Sequence, residues 1–400
     1  MEWNKSDRLL VVKRKILILA NGLPVYQGGH SDILLNQIKD YGALNFCYFS
    51  TRRLITSEKP EILREIPTKI APLRILEGKI IKNIPMLEEI IYCYLIIKRK
   101  REIILFSKRH NVKLVYAILR GDTLPLVNYL IDKMELPLVA YVPDTVEAEW
   151  TDKKLIYKLK RKNYYKAIRK SKIIAAPGES MAEYFKKIFY KDSVIFRPGL
   201  ESKIIPENQR ESFKSNLITL GFAGSLYAKE EFVKFLYSLH IFVKKHSDFK
   251  IKILFISNFE PELIDDIVIE SYGWCSQEEV LKILSKADIG YLPYKFDERY
   301  KTQMQLAFPS KIASYLAAKT PVFFHGPSYS SVNYFLKKHQ CGVSCDSMNE
   351  NDIVVKLEKL VFDEKFYDSC KKLCVEAYKQ EFTKEKMTEN FKYFINKGLE

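Results

Sequence analysis

The chain has 400 residues, 47% hydrophobic and 28% charged, a balance that excludes disorder and leaves room for two domains, each with its own core. Its longest apolar runs, such as IIYCYLII (90–97), fall far short of the ~20 residues of a membrane span. The formal charge of +16 excludes an acidic surface and favours partners that carry phosphate.

The first stretch, MEWNKSDRLLVVKRK, is charged throughout and holds no apolar signal core. Seven cysteines, an odd number, fit reduced thiols, so a cytoplasmic protein is expected. KILILAN (15–21) is a continuous apolar run that ends in a glycine-containing loop, GLPVYQGGHSD, before a helical pattern, ILLNQI. That is the opening of a βα unit in a parallel sheet. Further strands are expected at 46–49, 114–119, 138–142 and 172–177, with helices between them, and SVIFRPGL (193–200) closes this half. Two segments carry the positive surplus: 98–113, whose only acid is Glu102, and 153–172, which has none. In the second, Leu155, Ile156, Leu159, Tyr164, Tyr165 and Ile168 interleave with Lys158, Lys160, Arg161, Lys162 and Arg169. An amphipathic helix lying on an anionic bilayer has this pattern, and so does a helix with a solvated basic face. Residues 201–216 break the periodicity and read as a linker.

The second half restarts the rhythm. LITLGFAGS (217–225) is a strand running into a small-residue turn, 230–246 has helical spacing, and 250–257 and 267–275 are strand-like. A helix over 276–287 starts with Ser276 three residues before Glu279, a capping box, and DIGYLPY (288–294) is the next strand. FPSKIASYLAAKTPVFFHGP (308–327) reads as a turn, a short helix and a buried strand; GVSCD (342–346) and three helical segments follow. Ala313, Leu316, Ala317 and Ala318 suit close packing on a sheet, and Pro321 starts a strand where its missing N–H does no harm. Cys341/Cys345 and Cys370/Cys374, with His339 nearby, lack the C-x2-C spacing of zinc sites and read as structural thiols. Two βα arrays joined by a linker predict an α/β protein with two doubly wound domains. The expected limits are 1–200 and 217–378, with a C-terminal helix over 379–400. Ligands of such sheets bind at the carboxyl ends of the strands.

A diphosphate group needs a cation, a glycine that admits its bulk to the backbone, and amides at a helix start. Pro309, Ser310 and Lys311 open a helix with a cation, Gly28 and Gly29 offer a close backbone approach, and Lys229 follows the turn GSLYA. The plainer alternatives are a helix cap for Ser310 and solvated side chains for the lysines. AYVPDTVEAEW (140–150) leaves a buried strand with Asp144, Glu147 and Glu149, candidates for a general base beside His30. Helix capping is the alternative for Asp144.

In combination, GFAGSLYAKEEF, YGWCSQEEVLKILSKADIGYLPY and FPSKIASYLAAKTPVFFHGP resemble the nucleotide-sugar-binding domain of GT-B fold glycosyltransferases, family 4 in particular. KIIAAPGESMAEYF (172–185) is similar to a segment of the same family that precedes the linker. The resemblance implies two Rossmann-like domains facing a cleft, with closing helices packed back on the first. It implies a hexosyltransferase-type enzyme that takes a nucleotide-diphosphate sugar as donor, without a cofactor, and a saccharide acceptor, lipid-linked, in polysaccharide synthesis. Donor contacts would come from Gly224, Ser225, Lys229, Lys311 and Ser314. No Asp-x-Asp motif occurs, so a metal-independent reaction is expected, with the lysines offsetting the leaving diphosphate. Retention or inversion stays open. Two family glutamates fall on Leu306 and Ser314, neither acidic, and Gln303 or Gln305 are stand-ins near the sugar. An arginine of the family is replaced by Ser225. An epimerase of the same fold and a degenerate nucleotide-sugar-binding partner subunit are the alternatives; no nucleic-acid-binding motif accompanies the basicity.

Overall fold

The apolar run at the start becomes β1 (Lys15–Ala20), five of whose six residues are buried, because a parallel strand with helices on both faces has no wet side. The computed structural model describes residues 15–24, 30–52, 61–73, 85–145, 155–201 and 216–400. Around β1 a parallel sheet is laid down by β2 (Phe46–Ser50), β3 (Thr68–Ile70), β4 (Val112–Ile118), β5 (Leu138–Tyr141), β6 (Ile173–Ala176) and β7 (Ser193–Ile195). Their order, 3-2-1-4-5-6-7, reverses direction between β1 and β4. The helices of this half are α1 (His30–Tyr41), α2 (Pro85–Arg109), α3 (Leu124–Met134), α4 (Leu155–Lys170) and α5 (Glu179–Phe189).

The second sheet repeats the scheme with β8 (Leu217–Ala223), β9 (Lys250–Ile256), β10 (Ile267–Ser271), β11 (Ile289–Pro293), β12 (Val322–His325) and β13 (Gly342–Cys345). Its order, 10-9-8-11-12-13, reverses between β8 and β11, again with parallel pairing. Here the helices are α6 (Lys229–Lys245), α7 (Gln277–Leu284), α8 (Lys301–Leu306), α9 (Lys311–Ala317), α10 (Ser331–His339), α11 (Glu350–Phe362), α12 (Glu364–Glu381) and α13 (Lys384–Leu399). Each sheet has an apolar cluster on either face, so the chain folds as two doubly wound α/β domains.

The closing helices divide between the domains. Tyr367 and Cys374 of α12 lie in cores of the second domain, whereas Phe391, Phe394 and Ile395 of α13 join Ile16, Tyr116 and Phe196 in the first. Of the three closing helices, α13 is the one that packs back on the first domain. The chain recrosses at Leu200 and Thr383, which form an isolated bridge, with Leu200 N–H donating to Phe382 O at 3.0 Å.

A buried arginine seals this crossing. Arg197, 3% exposed, pairs with Glu179 of α5 and, at 2.6 Å, with Glu381 at the end of α12. Its guanidinium lies 4.6 Å from the Phe308 ring centre, 5.2 Å from that of Phe335 and 5.3 Å from that of Phe382. Lys338 reaches both carboxylates at 3.1 Å. Among the described residues no helix is long and apolar enough to cross a membrane.

Candidate donor site at the end of the second sheet

β8 ends in Ala223 and passes into Gly224, whose φ of +99° is a backbone shape that side chains resist. α9 is fastened across this strand end by Tyr315. Its hydroxyl accepts from Ala223 N–H at 3.2 Å and donates to Tyr291 O at 2.9 Å. The ring fits because β11 carries Gly290: a Cβ there would come within 2.7 Å of Tyr315. The small residues of α9 lie fully buried against the sheet, as packing required.

Lys311, the first residue of α9, is thereby aimed at Gly224. A Cβ on Gly224 would stand 3.4 Å from Lys311 Cε and 3.6 Å from Nζ. The Nζ is sealed from solvent and, among the described residues, has no hydrogen-bond partner. Aromatic faces are its nearest compensation, with the Phe222 ring centre at 4.7 Å and that of Tyr227 at 5.9 Å. Burial lowers its pKa from 10.5 to about 8. A buried ammonium without a counter-ion is costly, and an arriving anion relieves that cost.

The other predicted donor residues fall as follows. Ser225 and Ser310 are exposed and Pro309 is half-buried. Ser310 occupies the cap position of α9 without a side-chain capping bond. Lys229 starts α6, with its Nζ 4.2 Å from the Phe259 ring centre. Ser314 is buried, and its hydroxyl accepts from Gln277 Nε2 at 3.0 Å. Gln277 was not singled out in the sequence, because its partner lies 37 residues away. Leu306 packs against the core of the first domain, and Gln303 and Gln305 are half-buried on the same short helix. Gly28, Gly29, Glu147 and Glu149 lie outside the described residues, as does the side chain of His30, which begins α1.

Asp144 follows β5 and accepts from Thr145 N–H at 2.7 Å. Burial raises the phenol of Tyr294, just beyond β11, and the Asp144 carboxylate adds to that rise. Tyr227, after the glycine turn, packs on Tyr294 with ring centres 6.0 Å apart. Both tyrosines were missed, since nothing in GSLYA or YLPY marks an aromatic as a cleft residue.

On the basic helix, Lys158, Arg161, Lys162 and Arg169 are exposed. Lys160 is not on that surface. It is 3% exposed, bound to Asp122 at 2.6 Å and 5.4 Å from the Tyr92 ring centre. Among the described residues no three His, Cys, Asp or Glu side chains gather in ligating geometry.

No protein-family model matches the chain, and no curated protein sequence does. Solved structures do match. Sucrose-phosphate synthase from Thermosynechococcus elongatus superposes with a TM-score of 0.67 at 9% identity, over 96% of this chain and 98% of that one. Anabaena HepE in complex with UDP and glucose gives 0.62 at 10%, over 96% and 99%. WaaG, a glycosyltransferase of lipopolysaccharide biosynthesis, gives 0.60 at 11%, over 95% and 99%. The fold is thus that of GT-B glycosyltransferases, two Rossmann-like domains, matched over about 96% of the chain.

Proposed function

We propose that the protein is a glycosyltransferase resembling family 4, which moves a hexosyl group from a nucleotide-diphosphate sugar to a saccharide acceptor. One observation carries this reading: the buried Lys311 ammonium, without a hydrogen-bond partner among the described residues and aimed at the glycine that follows β8. There it offsets the charge that grows on the diphosphate as the glycosidic bond breaks. Asp144, which follows β5 in the first domain, is the residue we assign as the base that would take the proton of the acceptor hydroxyl in an inverting reaction. The HepE structure, which holds UDP and glucose, supports a nucleotide sugar as donor. The acceptor we propose is lipid-linked, met at the inner face of an anionic membrane by the exposed cations of α4, in cell-surface polysaccharide synthesis.

The test is a thermal-shift screen against UDP-, GDP-, ADP- and CMP-sugars, followed by product detection with lipid-linked saccharides. One nucleotide series is expected to stabilise the chain, and Asp144→Asn to keep that stabilisation while losing product. If no nucleotide stabilises the chain, the reading fails. The Gln277–Ser314 pair, standing where the family resemblance places a carboxylate, favours a second reading: a partner subunit that binds the donor without turning it over. Stabilisation without product would select it.

A further inference from the structure

One face of α2 has no partner among the described residues. The helix packs on the first core through Tyr92, Leu95, Ile96 and Ile103. Its Leu87, Ile90, Tyr94, Ile97 and Leu105 are instead between 37% and 69% exposed. At the angular step of an α-helix, these five fall in a single stripe about 80° wide. The start of α4 lies beside α2, with the Leu155 N–H donating to Glu89 at 3.0 Å, and Leu155 is itself 59% exposed.

Among the described residues, the exposed charges on α2 and α4 are all positive. Lys98, Arg101 and Lys108 on α2 and Lys158, Arg161 and Lys162 on α4 are all exposed. The acids described on α2 are engaged, Glu89 by Leu155 and Glu102 by Arg99 at 2.6 Å. The apolar half of α2 is its N-terminal half. In a parallel α/β unit a helix runs against the strands, so this half lies at the carboxyl ends, beside the cleft.

We propose that α2, with the start of α4, is a surface that docks on an anionic lipid bilayer. The apolar stripe enters the headgroup boundary and the flanking cations bind lipid phosphates. A second copy of the chain is the poorer occupant: a symmetric pairing of this face would bring two cationic rims together on molecules of net charge +16. The inference deepens the reading above by naming how a lipid-linked acceptor is met. It needs neither donor nor turnover, so its failure would leave the transfer reaction standing.

The test uses the full chain and vesicles of phosphatidylcholine alone or mixed with phosphatidylglycerol, with binding read by flotation. Binding is expected only with the anionic lipid, and to fall as salt rises. The triple variant Ile90→Ser, Tyr94→Ser, Ile97→Ser, at exposed positions, is expected to bind at least roughly tenfold more weakly, with an unchanged melting temperature. Lys98→Gln, Arg101→Gln, Lys108→Gln is expected to lose up to roughly a hundredfold and the preference for anionic lipid. In a Tyr94→Trp variant, indole fluorescence is expected to be quenched by brominated acyl chains. Equal binding to neutral vesicles, an unaffected apolar variant, an indole that stays unquenched, or a concentration-dependent dimer that the apolar variant abolishes would each overturn the proposal.

Discussion

Lys311 costs stability as long as no anion pairs with it. Its amine is held at about 8, against 10.5 in an unfolded chain, because burial disfavours the charge. Below about pH 8 the folded protein carries the full penalty, on the order of 3 kcal/mol. From pH 8 to 10.5 the folded amine is neutral while the unfolded one still binds a proton, so the penalty is relieved as pH rises. Lys311→Met keeps the apolar stem among its aromatic neighbours and removes the charge. It is expected to melt higher than wild type at pH 7 without ligand, and to lose that advantage above pH 10. A melting temperature that falls at pH 7 would mean that the ammonium is compensated in the fold itself. Ser314 shows the opposite economy: the hydroxyl is satisfied by Gln277, so a neutral pair fills the place where a carboxylate was expected.

At the scale of elements, most of the βα rhythm was legible, because a strand covered by helices on both faces reads as an unbroken apolar run. β3 was not. Thr68, Lys69 and Ile70 make a three-residue edge strand without a fully buried residue. α8 was missed for a similar reason, since KTQMQL buries only Met304. The mouth of α9 was legible in its residues, and the sealing of Lys311 was not, because Phe222, Gly224 and Tyr227 arrive from another strand end. Lys160 misled because sequence shows a basic run and hides Asp122, which comes from the preceding βα unit.

The charged cluster at the domain crossing is a second product of such convergence. Burial alone would raise Glu381, but His339, Arg197 and Lys338 outweigh it and bring the carboxyl to about 2. Stability from this group is complete above about pH 4.5 and is lost as pH falls towards 2. Arg197→Met is expected to cost about 3 kcal/mol at pH 7, because two carboxylates lose their cation, and less as pH falls towards 3. Chemical denaturation at both pH values checks this, and an equal loss at both would refute it.

At the scale of the molecule, the two domains share one chain path in both directions. α13 follows the second domain in sequence yet places Phe391, Phe394 and Ile395 in the core of the first. Deleting residues 384–400 is therefore expected to unfold the first domain, as removal of the buried Phe391, Phe394, Ile395 and Met387 at about 3 kcal/mol each exceeds ordinary domain stability. Circular dichroism and limited proteolysis would report it, and a truncated chain that melts like the full one would contradict the packing. Across the crossing, Arg197 stacks on Phe308, the residue before Pro309, Ser310 and Lys311, so the segment that carries the proposed donor residues is held by both domains. The most direct test of the central claim is calorimetric titration of the preferred nucleoside diphosphate from pH 6.5 to 9.5. The account requires tight binding below about pH 8, net proton uptake near pH 8, and affinity that falls above it as Lys311 deprotonates. In Lys311→Met the pH dependence should vanish, with affinity roughly 10- to 100-fold lower at pH 7. Equal affinity in wild type and Lys311→Met across that range would contradict it.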